Sequence, residues 1–290
     1  MSSFDFDAIG TRWAIESAAP LQSEMQRCIL ARIEAFDAVW SRFRSDSIVQ
    51  QIARALDGGV FVFPDEAVDL FALYDALHCA TDGAVDPLVG RDLVRLGYDA
   101  GYSLTPAMFT CDEERLDWSR DIVRDGAKLL TRRPLVVDVG AAGKGLLVDI
   151  VIAMLIDSGV DAAIVDAGGD MRRIGRDPVR VGLEHPFDAR LAIGSVELGD
   201  GALCASAVGR RAWGNGLHHV VDGRTGRPTR DVVATWVVAD TAMVADGLAT
   251  ALFFAPADHL TDRFSFSYAR MFADGRAEMS AGFVGELFIA

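Results

Sequence analysis

The spacing of apolar residues predicts a mixture of strand and helix in the N-terminal part of the chain. Residues 7–18 predict a first strand. Residues 65–81 predict a helix that ends before the loop TDGAVDPLVG, and the charge-rich residues 112–133 predict a solvated excursion on the surface. Residues 20–39 predict an amphipathic helix, whose apolar positions are Leu21, Met25, Cys28, Ile29, Ile33 and Phe36.

The pattern changes at residue 134, where strands and helices begin to alternate. Residues 134–139 (PLVVDV) predict a strand, residues 140–145 (GAAGKG) a glycine-rich turn, and residues 146–159 a helix stopped by Gly159. Residues 161–169 predict a strand that ends in a tight turn. Short strands are predicted for VRVGLEHP, RLAIGSVEL and GALCAS, a strand and a turn for HHVVDGRTGRP, and a buried strand for VVATWVVA. Since no clear linker interrupts the pattern, we expect a single α+β domain over residues 1–290.

Composition and charge narrow the classes of function. Apolar residues make up 51% of the 290 residues, which is enough for a substantial core. The 28 basic and 42 acidic residues leave a net charge of -14. Such a chain is a poor general binder of nucleic acid or of anionic membranes, so neither is an expected partner. An anionic ligand would need a local cation or backbone donors.

The cysteines and the N-terminal sequence predict a cytoplasmic protein with reduced thiols. No CxxC pair occurs, so a zinc site is not expected, and we expect mostly buried free thiols at Cys28, Cys79, Cys111 and Cys204. The N-terminal sequence MSSFDFDAIGTRW has no basic region followed by an apolar run, so no signal peptide is predicted. No apolar run reaches the roughly 20 residues that span a bilayer.

Residues 239–251 (ADTAMVADGLATA) contain a candidate metal site. The segment predicts a buried helix, on which Asp246 and Thr250 are four residues apart and share one face. A carboxylate on so apolar a helix is costly unless it is paired or binds a metal, and oxygen donors favour a hard cation such as Mg²⁺. A capped or hydrogen-bonded polar pair inside a helix bundle would explain the same pattern.

Two glycine-rich turns follow predicted strands. In residues 138–144 (DVGAAGK), small residues let the backbone approach a ligand, the helix start offers N–H groups to an anion, and Lys144 adds a positive charge. The spacing is not that of a P-loop, since no Ser or Thr follows the lysine. In residues 166–170 (DAGGD), Asp170 either lies near a ligand or satisfies local backbone donors. Ordinary structural turns would explain both segments.

A pair of adjacent histidines precedes a third turn. Strand alternation sends His218 and His219 to opposite faces, so at most one of them points into a given cleft. Residues 224–226 predict a turn beside Asp222. A histidine in this position is either a structural hydrogen-bonding residue or a catalyst, and the local sequence does not separate the two.

Taken together and in this order, the four sites resemble the ApbE family, the FAD:protein FMN transferases. The matching segments are DVGAAGKG (138–145), DAGGDMRRIG (166–175), HVVDGRTGRP (219–228) and ADGLAT (245–250). Looser matches are IGTRW (9–13), SRFRSDS (41–47) and TDGAVDPLVG (81–90). The resemblance therefore extends from about residue 8 to about residue 254.

The resemblance implies a T-fold-like α+β domain with mixed, largely antiparallel sheets and packed helices. It implies that Mg²⁺ is held by the side chains of Asp246 and Thr250 and by the backbone carbonyl of Ala141, and that His219, Lys144 and Asp246 are catalytic. It implies flavin-nucleotide contacts from Ile9, Phe43, Ala84, Val85, Asp86, Asp138, Lys144, His219 and Ala249. The chain departs from the usual family residues at Ile9 (Met), Phe43 (Tyr), Leu88 (Thr), Gly143 (Ala) and Gly223 (Pro).

The activity that the resemblance implies is Mg²⁺-dependent transfer of FMN from FAD to a Ser or Thr hydroxyl of a target protein, with release of AMP. His219 is then either the base for that hydroxyl or a flavin contact. With water as the acceptor, the same site would be an FAD pyrophosphatase that produces FMN and AMP. Without chemistry, the protein would be a flavin carrier or sensor. The sequence leaves the target protein and the oligomeric state open.

Overall fold

The structure is a computed structural model that describes residues 2–107 and 114–288. Its strands are β1 (Ser2–Ala8), β2 (Thr11–Ser17), β3 (Gly59–Val62), β4 (Val123–Asp125), β5 (Lys128–Thr131), β6 (Ala163–Asp166), β7 (Asp170–Ile174), β8 (Val179–His185), β9 (Asp188–Leu198), β10 (Gly201–Ala207), β11 (Ala212–Trp213), β12 (Leu217–His218), β13 (Val221–Asp222), β14 (Arg227–Pro228), β15 (Val232–Ala239), β16 (Ser267–Phe272), β17 (Ala277–Met279) and β18 (Gly285–Leu287). Its α-helices are α1 (Ser23–Trp40), α2 (Ile48–Arg54), α3 (Ala67–Ala80), α4 (Gly90–Arg95), α5 (Trp118–Asp121), α6 (Gly143–Asp157), α7 (Ala242–Ala251) and α8 (Asp258–Thr261).

The main sheet has eight strands in the order β1-β2-β6-β7-β10-β15-β16-β17. Every pairing between its described strands is antiparallel. Smaller sheets form from β3-β5-β4, from β18-β9-β8 and from two short pairs, β11-β12 and β13-β14. The expected α+β architecture with largely antiparallel sheets is confirmed.

The main sheet separates two apolar layers, as the alternation of side chains along a strand requires. On β15, Val237 faces the large core that helices α1, α3, α6 and α7 share, whereas Trp236 faces a second cluster beneath β8 and β9. The large core draws on residues from Trp13 to Leu260. Helices α6 and α7 pack against each other and against this sheet, so the loops before them lie at one edge of the core.

The predicted first strand, residues 7–18, is wrong in its boundaries, because the chain turns within it. Strands β1 and β2 form a hairpin in which Ser2 pairs with Ser17 and Ala8 with Thr11. At the turn, Ile9 and Gly10 have positive φ values of 43° and 75°. An isoleucine rarely adopts this backbone conformation, so its side-chain type gave no signal of a turn.

Two helices lie close to their predicted positions, and a third begins earlier than predicted. The periodicity of residues 20–39 and 65–81 corresponds to α1 and α3. Helix α6 begins at Gly143, inside the predicted glycine-rich turn, and ends at Asp157, two residues before Gly159. The first turn of α6 therefore includes Lys144 and Gly145, with consequences for the site described below.

The segment 134–139 is not a strand, although it is largely buried. Leu135 and Val137 point into the core, but the segment has no partner strand among the described residues. Its hydrogen bond from the Asp138 N–H to the Pro87 carbonyl, 2.8 Å long, is a single link rather than a ladder. The apolar residues of this segment therefore indicate that it is buried in the core, but they do not indicate that it pairs with another strand.

The prediction of a solvated excursion at residues 112–133 is wrong for its described part. Trp118, Ile122 and Leu129 are buried in the main core, and β4 and β5 pair with each other and with β3. Residues 112 and 113 lie outside the described residues. The many charged residues of this segment suggested a solvated surface, although its apolar residues pack into the core.

The sequence also made predictions about membrane-spanning helices and about the state of the cysteines. Within residues 2–107 and 114–288, no helix is long and apolar enough to cross a membrane. Cys28, Cys79 and Cys204 are free thiols, as predicted. The expectation that the thiols are mostly buried is wrong for Cys28 and Cys79, which are exposed, and Cys111 lies outside the described residues.

Candidate active site

A cavity of about 480 Å³ opens where the β1–β2 turn, the start of α6 and the end of α7 approach one another. A site of this size accommodates a ligand as large as a nucleotide. The predicted site residues in its wall are Ile9, Phe43, Ala84, Val85, Asp86, Asp138, Ala141, Lys144, His219 and Thr250. The fold therefore brings together residues from six separate segments of the chain.

The start of α6 is built around Asp138 and Gly145. The Asp138 carboxylate accepts a hydrogen bond from the Gly140 N–H at 2.7 Å, which fixes the turn before the helix. A Cβ atom added at Gly145 would lie 2.2 Å from the backbone carbonyl oxygen of Ala242. Glycine at this position allows α6 and α7 to approach closely, and this contact places the first turn of α6 against the helix that carries Asp246.

Asp246 belongs to a buried cluster of three charged groups. Its carboxylate accepts a hydrogen bond from the Gly145 N–H at 3.0 Å, and burial together with the neighbouring Asp170 raises its pKa well above the ordinary value. Lys144 forms an ion pair with Asp170 and donates to the Ala167 carbonyl at 3.2 Å. Burial alone would lower the pKa of Lys144, but Asp170 and Asp246 raise it above its ordinary value.

The predicted metal ligands lie around the first turn of α6 and the face of α7 that meets it. Ala141 and Thr250 line the cavity, whereas Asp246 lies behind the wall, with 3% of its surface exposed. When both buried carboxylates are ionised beside one lysine, an excess negative charge remains, and a bound cation would balance it and favour the ionised form of Asp246. Carboxylate, hydroxyl and carbonyl oxygens are suitable ligands for Mg²⁺. The residues present therefore fit the ion.

Ala249 is the one predicted flavin contact that is absent from the cavity wall. It is fully buried in the core, and its carbonyl accepts a hydrogen bond from the Thr235 hydroxyl at 2.7 Å. It does not line the cavity. The neighbouring Thr250, one position further round the helix, occupies the wall instead.

The two histidines separate as strand alternation predicts. The His218 ring makes a 2.9 Å hydrogen bond with the Thr229 carbonyl and is structural, whereas His219 lines the cavity. Burial, and secondarily the positive charge of Arg211, lower the pKa of His219 to about 4. The His219 imidazole is consequently neutral near pH 7 and can accept a proton.

The loop that contains Ala84 and Val85 is held by Asp86. Its two carboxylate oxygens accept hydrogen bonds from the N–H groups of Leu88, at 2.7 Å, and Trp118, at 3.0 Å. His78 lies 3.5 Å from this carboxylate, and their interaction raises the pKa of His78. Asp86 therefore shapes the cavity wall through these contacts, which link the loop to α3 and α5.

Sequence reasoning missed several residues that complete the wall. Arg42 is almost fully buried, and its guanidinium donates to the Asp138 carboxylate at 2.5 Å and to the Tyr98 carbonyl at 2.7 Å. Tyr74 and Arg211 also line the cavity. Arg42 lies within the segment SRFRSDS, which is a loose match to the family. Its contact with Asp138 joins positions 96 residues apart, so no local sequence pattern could predict it.

The geometry defines a protein with a nucleotide-sized cavity, a buried carboxylate cluster fit for a hard cation, and a neutral histidine in the wall. The sequence model of the ApbE family matches residues 9–265, and the chain belongs to this family. A FAD:protein FMN transferase of Vibrio cholerae is 30% identical over 253 residues, which cover 82% of this chain and 74% of that protein. One of Klebsiella pneumoniae is 27% identical over 272 residues, covering 86% and 77%.

Solved structures share the fold over nearly the whole chain. The ApbE protein of Thermotoga maritima superposes with a TM-score of 0.83 at 23% identity, covering 97% of both chains. The apo flavinyl transferase ApbE of Pseudomonas stutzeri has a TM-score of 0.80 at 23% identity, covering 99% of this chain and 94% of that one. At 23% identity, these structural similarities establish the shared fold alone.

Proposed function

We propose that this protein transfers FMN from FAD to a Ser or Thr hydroxyl of a target protein, with release of AMP, in a reaction that requires Mg²⁺. Membership of the ApbE family supports the flavin-transfer reaction. The observation that carries the proposal for this chain is that motif residues from both halves of the sequence meet in one cavity. A cytoplasmic location remains a prediction from the sequence.

Transfer of the FMN phosphoryl group depends mainly on positioning and on neutralising charge. Asp246, Thr250 and the Ala141 carbonyl would hold Mg²⁺, which when bound withdraws charge from the pyrophosphate and stabilises the leaving phosphate. Lys144, fixed at the N-terminal turn of α6 by Asp170, adds positive charge on the same side of the cavity.

In this proposal, His219 takes the proton of the acceptor hydroxyl, which is consistent with its position in the cavity wall. As the hydroxyl oxygen bonds to the FMN phosphorus, the bond from phosphorus to the AMP oxygen breaks, and the hydroxyl proton passes to the neutral imidazole. An uncharged His219 near pH 7 supports this role, because a protonated ring has no free electron pair. The approach of an anionic phosphate would raise the pKa of His219 and make it a stronger base.

The reaction is tested by incubating the protein with FAD, with and without Mg²⁺, and with candidate target proteins. We expect AMP release that depends on Mg²⁺, and an added FMN mass on a Ser or Thr of the target by mass spectrometry. Free FMN and AMP with no protein adduct would instead indicate a pyrophosphatase. Stoichiometric FAD binding without AMP would indicate a carrier, and either result would refute the transferase proposal.

Two histidine variants test whether His219 is the general base. His219→Gln should reduce the rate of transfer by roughly 10²–10⁴-fold, the usual contribution of a general base, while FAD still binds. The control is His185→Gln, because His185 lies on β8, outside the cavity wall. If the first variant lost FAD binding and retained its turnover at saturating FAD, His219 would be a flavin contact and not the base.

A further inference from the structure

Three aromatic rings form one part of the cavity wall. Phe43 and Tyr102 are nearly parallel, with ring centroids 5.1 Å apart and an interplanar angle of 4°. The Tyr98 ring meets both of these rings edge-on, and the Trp213 ring stacks on Tyr98. Tyr98 and Trp213 are buried, whereas Tyr102 is 51% exposed. Tyr102 is therefore the ring of this wall with the largest surface left for a ligand.

The backbone around Tyr102 is fixed by a set of local hydrogen bonds. The Asp99 carboxylate accepts from the N–H groups of Gly101 and Ser103, at 2.8 and 3.1 Å, and from the Ser103 hydroxyl at 2.5 Å. Tyr102 and Leu104 nevertheless have positive φ values of 49° and 50°. Bulky residues adopt this region rarely, and such conformations persist only where surrounding contacts impose them, commonly beside ligand sites.

Arg42 gives a reason why Tyr102, rather than its neighbours, would receive a ligand. The Arg42 guanidinium lies 4.2 Å from the centroid of Phe43 and 4.8 Å from that of Tyr98, so it already occupies space over both rings. It is also held by Asp138 and by the Tyr98 carbonyl, so it is not free to move aside. Tyr102 adds a third ring to this aromatic surface, and this ring is more exposed than those of Phe43 and Tyr98.

We propose that Tyr102 is a stacking residue for a planar heteroaromatic ring of the dinucleotide, either its isoalloxazine or its adenine. The inference rests on the proposed function, which supplies FAD as the ligand. Offset stacking of a π-system on a tyrosine face is a favourable contact that requires no specific hydrogen bond. Tyr102 lies outside the motif segments of the sequence, in a loop that packs onto Phe43.

The test compares FAD binding by the wild type, Tyr102→Ala and Tyr102→Phe, by calorimetry and by the fluorescence of bound flavin. We expect Tyr102→Ala to weaken binding about tenfold or more, which is about 1.4 kcal/mol and within the range of ring-stacking contacts. Tyr102→Phe keeps the ring face, so its Kd should stay within about twofold of the wild type. The control Phe187→Ala removes an exposed aromatic ring outside the cavity wall and should change nothing.

Separate titrations with FMN and with AMP identify the ring. A loss confined to FMN, with recovered flavin fluorescence in Tyr102→Ala, assigns the isoalloxazine, and a loss confined to AMP assigns the adenine. Equal FAD affinity in the wild type and Tyr102→Ala would overturn the inference while leaving the transferase proposal intact. Failure of the wild type to bind FAD would overturn both.

Discussion

Replacement of Asp246 with Asn isolates the metal ligand from the packing of its helix. The amide has nearly the same volume as the carboxyl and keeps an oxygen to accept the hydrogen bond from the Gly145 N–H. It removes a buried group whose charged form is disfavoured by burial and by Asp170. We therefore expect the variant without Mg²⁺ to unfold at the same temperature as the wild type, or at a higher one.

The size of the expected effect follows from ligand linkage. A ligand present at roughly 100 times its Kd stabilises the folded state by about 2.7 kcal/mol. The entropy of unfolding is about 2.1 cal/mol/K per residue near about 60 °C, which gives about 0.6 kcal/mol/K for 290 residues. Saturation of the wild type with Mg²⁺ and FAD should therefore raise its Tm by about 4 °C, and most of that rise should disappear in Asp246→Asn.

The assay is differential scanning calorimetry across a titration of Mg²⁺ at fixed FAD, with Asp149→Asn as the matched control. The Asp149 carboxylate caps α7 by accepting hydrogen bonds from the N–H groups of Ala242 and Met243, both at 2.9 Å. Its replacement removes one of these two acceptor oxygens and the ion pair with Arg172, so it should lower the Tm without ligand through loss of a hydrogen bond worth about 0.5–1.5 kcal/mol and preserve the rise with Mg²⁺. A full rise in Asp246→Asn, equal to that of the wild type, would refute the metal assignment.

Three further predictions address other parts of the site. The His219 pKa of about 4 places the acidic limb of kcat/KM near pH 4, because only the neutral ring is active; a pH–rate profile with a limb near the ordinary value of 6.5 would contradict this. His78, whose pKa is raised by Asp86, stabilises the folded state fully below pH 6.5, and this stabilisation is lost as the pH rises through the raised value. The Tm difference between wild type and His78→Gln should therefore shrink with rising pH, and a constant difference would argue against the interaction. Gly145→Ala places its Cβ against the Ala242 carbonyl and should cost about 1–3 kcal/mol of stability in urea unfolding, whereas a neutral effect would exclude the close approach of α6 and α7.

Elements with a single apolar face were the ones predictable from sequence. Helices α1 and α3 show the 3.6-residue period because each buries one side. Strand β15 is almost entirely apolar because one of its faces packs in the large core and the other in the cluster beneath β8 and β9. Residues 134–139 have the same apolar character as a strand, yet they are buried without pairing. Burial alone does not specify hydrogen-bonding partners, since these depend on which segment the fold brings alongside.

Sequence reasoning could predict those parts of the site that contain a glycine-rich turn or a charged residue on an apolar helix. Residues 138–144 and Asp246 were visible for these reasons. Arg42 and Tyr102 were not, because an arginine and a tyrosine in polar segments are common, and their importance arises only from contacts with Asp138 and Phe43. Such contacts between distant segments are properties of the packed structure and leave no periodic pattern in the sequence.

The ion pairs of the cavity explain why an acidic protein would require a cation together with its ligand. Arg42 is paired with Asp138, and Lys144 with Asp170, so each of these positive charges already has a carboxylate beside it. Asp246 adds a negative charge to the second pair when it is ionised. A pyrophosphate entering this environment would meet little net positive charge from these five residues. A bound Mg²⁺ would reverse that balance, since two positive charges beside Asp246 favour its ionised form and attract the phosphates at the same time.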